Sequence, residues 1–220
     1  MTPVADDNPE VAFEQWLGGL TALTGSADAA RQWRGRRYAF AYRLGEKLVG
    51  ESSTHPPITG SAVYGIWLKW GLLYVGQTNE ASRRLRDLPI GESHHLANTF
   101  PPEIWDRVLV IDWPSLAEAE AALAHLDHAT IGLALEHRLQ VRVQPLANAT
   151  RRTKGGGWRP IDRGKSKSRG ARAAEAIGDL ADAVDRLWDI AAVHDGESTS
   201  LPTAVRSVRP GELLREEHAV

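Results

Sequence analysis

Between Ala62 and Gln77 the chain reads AVYGIWLKWGLLYVGQ, two runs of aromatic and branched residues on either side of Trp70-Gly71. Residues of this kind suit a pleated, half-buried surface, and a glycine able to take positive φ lets the chain reverse between them. The segment is therefore expected to be a β-hairpin. The residues after it, NEASRRLRDL, predict a short helix capped by Thr78 or Asn79. PIGESHHLANTFPPE then reads as a loop, and RVLVIDW as a third strand.

Helices are expected around this unit. NPEVAFEQWLGGLTAL starts with a cap at Asn8 and proline at the next position, and Val11, Phe13, Trp16, Leu17 and Leu20 give it an apolar face. DAARQWRGRRYAFAYRLGEKLV gives a second helix, and the Gly-, Ser-, Thr- and Pro-rich residues 50–61 a linker. Pro114 and Ser115 open a long helical region through about Gln140, with Glu118 and Glu120 in its first turns. PLANATRRTKGGGWRP follows as a basic, glycine-rich loop, and GKSKSRG as a second linker. ARAAEAIGDLADAVDRLWDIAAV predicts a last helix with Ile177, Leu180, Val184, Leu187 and Ala191 on one face. From about Asp195 the periodicity fades and a mobile tail is expected.

The fold class that follows is mixed α/β: a small, three-stranded, mostly antiparallel sheet flanked by helices. Its expected parts are a helical extension over 1–58, a central domain over 59–160, and a basic linker, helix and tail over 161–220.

Composition removes several function classes. The 220 residues include no cysteine, which excludes a disulfide framework, a thiolate nucleophile and a cysteine-ligated zinc site. The opening MTPVADDNPE lacks the apolar run of a secretory signal, and no stretch approaches the length of a membrane span, so a cytoplasmic protein without a membrane partner is expected. The net charge of −2 hides an asymmetry. Between Arg142 and Arg172 lie ten of the 26 basic residues and one of the 28 acids, Asp162. A basic block inside an acidic chain points to a polyanion.

The motifs on this frame resemble those of the GIY-YIG nuclease family over residues 61–148. Ala62-Val63-Tyr64 matches the family's first motif, with alanine where the family has glycine, and Tyr74-Val75-Gly76 matches the second. The tyrosines stand ten positions apart, as the family's do. Reading Gly65-Ile66-Trp67 as the first motif would shorten that spacing to seven and lose the tyrosine. Ten residues beyond Tyr74 comes Arg84, with Arg83 and Arg86 as neighbours that take its place if the register slips. Glu136, Pro145 nine residues on and Asn148 three further complete the family's back half. One turn beyond the arginine the family often carries histidine or tyrosine. Here Leu88 stands there, and His94 or His95 from the following loop is a candidate replacement.

The resemblance implies metal-dependent endonucleolytic hydrolysis of DNA, with Tyr64 as general base. A free tyrosine pKa of about 10 is high for a base at neutral pH, so a neighbouring cation is needed to favour the phenolate. Glu136 is the expected ligand for one Mg²⁺ or Mn²⁺, since such hard cations take one or two carboxylates together with waters and phosphate oxygens. Arg84 is expected to fork onto the phosphate and Tyr74 to help place it. Asn148 is expected to tie the loop after the helix to the core. Arg142, Arg151, Arg152, Lys154, Arg159 and the arginines beside Arg84 would track a double-stranded DNA backbone, and Trp158 would stack on a base. Tyr64, Tyr74, Arg84 and Glu136 should then converge on one concave face.

Plainer readings stand beside these. Each tyrosine alone is an ordinary strand aromatic, Arg84 a solvated helix residue and Glu136 a helix glutamate. Glu118 and Glu120 are rival ligands, and His125, Asp127 and His128 look like a metal cluster but lack a third ligand at suitable spacing. The same basic surface would also serve a catalytically inactive nucleic-acid-binding module. An exposed apolar face on the last helix would suit a homodimer.

Overall fold

The computed structural model describes residues 14, 18, 21, 25–91, 96–148, 150–152, 154, 155, 157–193 and 201–217, and of 150–152, 158, 159 and 214–217 the backbone alone. The chain divides into two compact units, residues 1–40 and 41–220. The first unit contains the opening part of helix α1 (Ala27–Val49), where the Arg37 guanidinium lies 5.4 Å from the Trp33 ring centre. The helix expected from Asn8 falls almost wholly outside the described residues.

The second unit is built on the hairpin. β1 (Ala62–Leu68) and β2 (Gly71–Thr78) pair antiparallel, with Leu68 opposite Gly71 across the turn. Gly71 has φ +143°, a conformation that side chains other than glycine's rarely accept. The register shifts between Ile66 and Trp67, a bulge that absorbs one extra residue of β2. β3 (Arg107–Ile111) pairs antiparallel with the other side of β1. The sheet then gains a fourth strand, β6 (Val205–Val208), antiparallel to β3, giving the order β2-β1-β3-β6.

β6 corrects two expectations, the count of three strands and the mobile tail from Asp195. Its sequence, VRSV, is short and carries an arginine, so it gives little strand signal. The structure uses that arginine. Arg206 is buried and donates to the carbonyls of Lys47, Gly50 and Pro56. Its charge is thus hydrogen-bonded rather than stranded in an apolar layer. The segment from 161 onward belongs to the same compact unit as the hairpin.

Alternation along the strands splits their side chains between two layers. Val63, Val75, Leu109, Ile111 and Val205 share a core with Ile131, Leu135 and Leu139 of α5 (His128–Val143) and with Leu180, Val184 and Trp188 of α7 (Gly178–Val193). Each such side chain removed from water contributes about 1.5–3 kcal/mol before entropy is set against it. Tyr64, Ile66, Val108 and Val110 alternate with these and point to the other face. Arg206, opposite Val110, bonds to the end of α1 and the segment after it, so these cover that second face. Beside them, α2 (Ala81–Asp87) approaches α1 so closely that a Cβ on Gly45 would lie 2.9 Å from the Arg86 Cα.

The long helix expected from Pro114 to Gln140 is broken. After α3 (Leu96–Thr99) and β3 comes a short α4 (Ala119–Leu123), and α5 starts only at His128. The break is a cap: Asp127 accepts from the Thr130 amide at 2.9 Å and from the Thr130 hydroxyl at 2.9 Å. That gives Asp127 a structural role. Its neighbour His128 stacks beside Trp113, with ring centres 5.3 Å apart. The basic segment expected as a loop forms a two-stranded ribbon, β4 (Thr150–Arg152) against β5 (Trp158–Pro160). The helix expected over 171–193 starts as α6 (Arg169–Ala173) and resumes as α7. Of its expected face Ile177, Leu180, Val184 and Ala191 are buried within the chain itself and Leu187 is half-buried. The last described element is α8 (Pro210–Glu217).

Candidate active site

The site begins with a register. Tyr64 of β1 faces Gly76 of β2, and Ile66 faces Tyr74. The two tyrosines therefore sit diagonally on one face of the sheet, with ring centres 6.0 Å apart and planes inclined by 37°. Gly76 makes this possible. A Cβ there would lie 2.7 Å from the Tyr64 hydroxyl and 2.6 Å from the Tyr74 ring.

The Tyr64 side chain is fully buried, and its hydroxyl makes no hydrogen bond of normal geometry, although Arg84 and Tyr74 both stand close enough to act on it. This departs from the concave, open arrangement expected for it. Burial raises the phenol's pKa above its usual 10.0, against the opposing pull of the Arg84 guanidinium. Tyr74 is half-buried, and its pKa is raised by burial first and then by Tyr64 and Glu136, with Arg84 again opposing. Arg84, half-buried on α2, thus faces both phenols.

Glu136 belongs to the other layer, which corrects the expectation that it shares one concave face with the tyrosines and Arg84; its charge nonetheless acts on both phenols. Its helix, α5, packs against the Val63 and Val75 face, while the tyrosines lie on the opposite one. The two sides meet at β2, an edge strand of the sheet. There Val75 is gripped by both its peptide groups: its N–H donates to Asn148 Oδ1 at 3.3 Å and its carbonyl accepts from Gln140 Nε2 at 3.1 Å. Gln140 Nε2 also donates to Glu136 Oε1 at 2.9 Å. An edge strand needs its open peptide groups satisfied, and here the same bonds locate the acid and the loop. Asn148 is tied to the core as expected of that residue type. Gln140 is absent from the sequence reading. The available signal was its spacing, one helical turn beyond Glu136.

Glu136 is half-buried and its pKa is pushed up to about 7, because burial outweighs the field of Arg163 and the bond from Gln140. Arg163 also escaped the sequence reading. Burial lowers its pKa, against the opposing pull of Glu136, and it donates to the Asn148 carbonyl. A hard cation beside the Glu136 carboxyl would favour its charged form, adding to the pull of Arg163. The donor set is small. Among the described residues no three His, Cys, Asp or Glu side chains gather to hold a metal. Glu136 would therefore provide one carboxylate, leaving waters and substrate oxygens to fill the shell.

The remaining candidates are dispersed. Leu88, at the position where histidine or tyrosine was sought, is fully buried at the C-terminal end of α2. His94 and His95 lie outside the described residues. Arg83 is exposed and pairs with Glu80 at 2.7 Å, and Arg86 pairs with Glu46 at 2.6 Å. Arg142 bridges α5 to α7 through Asp185 at 3.1 Å and Asp189 at 2.9 Å, which commits it to internal ion pairs rather than to a free basic face. Lys154 is exposed in the ribbon's connection. The ribbon register sets Arg151 opposite Arg159 and Arg152 opposite Trp158. Of the rival acids, Glu118 lies 3.6 Å from Arg186, and Glu120 sits in the first turn of α4.

Among the described residues no helix is long and apolar enough to cross a membrane. Against family models, curated proteins and solved structures the chain finds no match.

Proposed function

We propose that this protein is a metal-dependent endonuclease that hydrolyses DNA phosphodiester bonds, and that the β2 edge is its active site. One observation carries the reading: the buried Tyr64 hydroxyl, which makes no hydrogen bond of normal geometry, stands within the influence of a guanidinium, a second phenol and a carboxylate. Leaving a buried hydroxyl unsatisfied costs about 1–3 kcal/mol, so a ring kept only for packing would be better as phenylalanine. A phosphate oxygen or a nucleophilic water would satisfy it.

In this reading Arg84 binds phosphate oxygens and meets the charge that grows on them. Tyr64 takes the proton of the attacking water, and Tyr74 orients that water or the phosphate. Burial raises the pKa of both phenols in the free chain, so Tyr64 can serve as a base only once further positive charge joins that of Arg84 beside it. Glu136 would hold one Mg²⁺ or Mn²⁺, whose chemistry is to polarise the phosphate and steady the leaving oxygen. Asn148 and Gln140 are positioning residues that fix Val75, and with it the neighbouring Tyr74 and Gly76. The ribbon, whose register pairs Arg151 with Arg159, is rich enough in basic residues to suit a polyanion.

A second reading is favoured by the burial of Tyr64 and by Leu88 in the core: a nucleic-acid-binding module on the same frame without catalysis. Incubating supercoiled plasmid with Mg²⁺ or Mn²⁺ and either wild type or Tyr64→Phe separates the two. Nicking by wild type alone supports the nuclease. DNA left intact by both proteins, yet retarded on a gel, supports the binding module.

A further inference from the structure

A cleft of about 340 Å³ opens beside Gln140, the residue that donates to the Glu136 carboxylate. Val141, Gln144 and Pro145 line it from the end of α5, and Pro160, Asp162 and Arg163 from the ribbon and the turn after it. Gln140, which holds Glu136, forms part of its wall. Its size falls within the range of small-molecule sites, about 300–1,000 Å³.

We propose that this cleft is a subsite for one deoxynucleotide adjoining the scissile phosphate, with the base against Pro145 and Pro160 and the phosphate on Arg163. The proposal rests on the nuclease reading for its place in the reaction, and on the lining for its chemistry. Arg163 faces Glu136, so an anion bound to it lies next to the expected cation. The Gln144 amide both donates and accepts, which matches the edge of any base. The Asp162 carboxylate, held by Lys165 at 3.1 Å, repels a bare phosphate but accepts from a base amino group. A nucleotide, with an anionic end and a polar apolar-faced end, suits the whole lining. A nucleotide drawn out of its stack is the form that fits such a recess.

Gln144 offers a clean probe. It ends α5 at φ 45° and ψ 64°, a left-handed conformation in which glycine is the least strained residue. Gln144→Gly therefore removes the amide while keeping, or easing, the backbone.

The test is titration of the metal-free full chain with dCMP, dAMP and inorganic phosphate, followed by NMR amide shifts. Both nucleotides should shift the cleft residues, bind more tightly than phosphate, and weaken by about tenfold in Gln144→Gly, as loss of a good hydrogen bond predicts. Arg163→Gln should weaken them further. Equal binding of phosphate and nucleotides, unaffected by Gln144→Gly, would overturn the proposal. So would an absence of nucleotide shifts in a protein that still cleaves plasmid, a result that leaves the nuclease reading standing. Nucleotide binding weakened by Gln144→Gly in a protein that cleaves nothing would uphold the cleft's ligand and overturn the nuclease reading instead.

Discussion

Tyr64 and Gly76 stand opposite each other across the hairpin, and the space where a Cβ would sit on Gly76 is occupied by the Tyr64 phenol. The glycine thereby decides how close the two tyrosines come. Gly76→Ala would put a methyl 2.7 Å from the Tyr64 hydroxyl and 2.6 Å from the Tyr74 ring. The contact is with a buried ring, so it has little room to relax. Thermal or denaturant unfolding should show a loss of about 1–3 kcal/mol, the usual range for overpacking. Any activity should fall with it, because the phenols are forced apart.

Tyr64→Phe should behave in the opposite way for stability. It removes a buried hydroxyl that makes no hydrogen bond of normal geometry, so the variant should be as stable as wild type or more stable by about 1 kcal/mol. Cleavage should drop by about 10²–10⁴-fold, the usual contribution of a general base. A destabilised variant would show that the hydroxyl has a structural partner.

Glu136 predicts a pH dependence of stability. Its folded pKa is about 7 against an ordinary 4.5, so between those values the folded chain holds a proton that the unfolded chain has released. Stability from this group is therefore full below the lower value and declines as pH rises to the upper one, by on the order of 3 kcal/mol. Glu136→Gln should flatten that decline in unfolding curves taken across the window and be the more stable protein at its alkaline end. Mg²⁺ should raise the melting temperature of wild type above about pH 7 and leave Glu136→Gln unmoved.

The hairpin was legible because its residues carry a local signal: branched and aromatic runs around Gly71. β6 was not, since VRSV becomes a strand only by pairing with β3 and by burying Arg206 against three carbonyls. Propensity is silent on such tertiary partners. The break before α5 was written in Asp127 followed by Thr130, a capping pair, but the apolar pattern on both sides masked it. At the site, motif spacing named Tyr64, Tyr74, Arg84, Glu136 and Asn148. It could not show that Glu136 comes from the opposite layer, or that Gln140 and Arg163 are its neighbours. Those depend on how α5 and the residues after the ribbon pack around one strand edge. Arg142 was misread for a similar reason: its charge looked free in the sequence and is neutralised by α7.

The clamp on Val75 makes its own prediction. Asn148→Ala leaves the Val75 N–H without its acceptor at the strand edge, and should cost about 1–3 kcal/mol if no water replaces it. Amide hydrogen exchange should quicken at Val75 and Gly76 more than at β3. Cleavage should slow while retention of DNA on a gel is kept.

The most direct measurement is plasmid nicking by wild type, Tyr64→Phe and Glu136→Gln side by side, with Mg²⁺ and with chelator, after each protein has been shown to be folded. The account predicts nicking by wild type with Mg²⁺ alone and cleavage at least about a hundredfold weaker in either variant, although Tyr64→Phe melts at or above the wild-type temperature and Glu136→Gln does so above about pH 7. Equal nicking by wild type and Tyr64→Phe, or no nicking by a folded wild type with either Mg²⁺ or Mn²⁺, would contradict it.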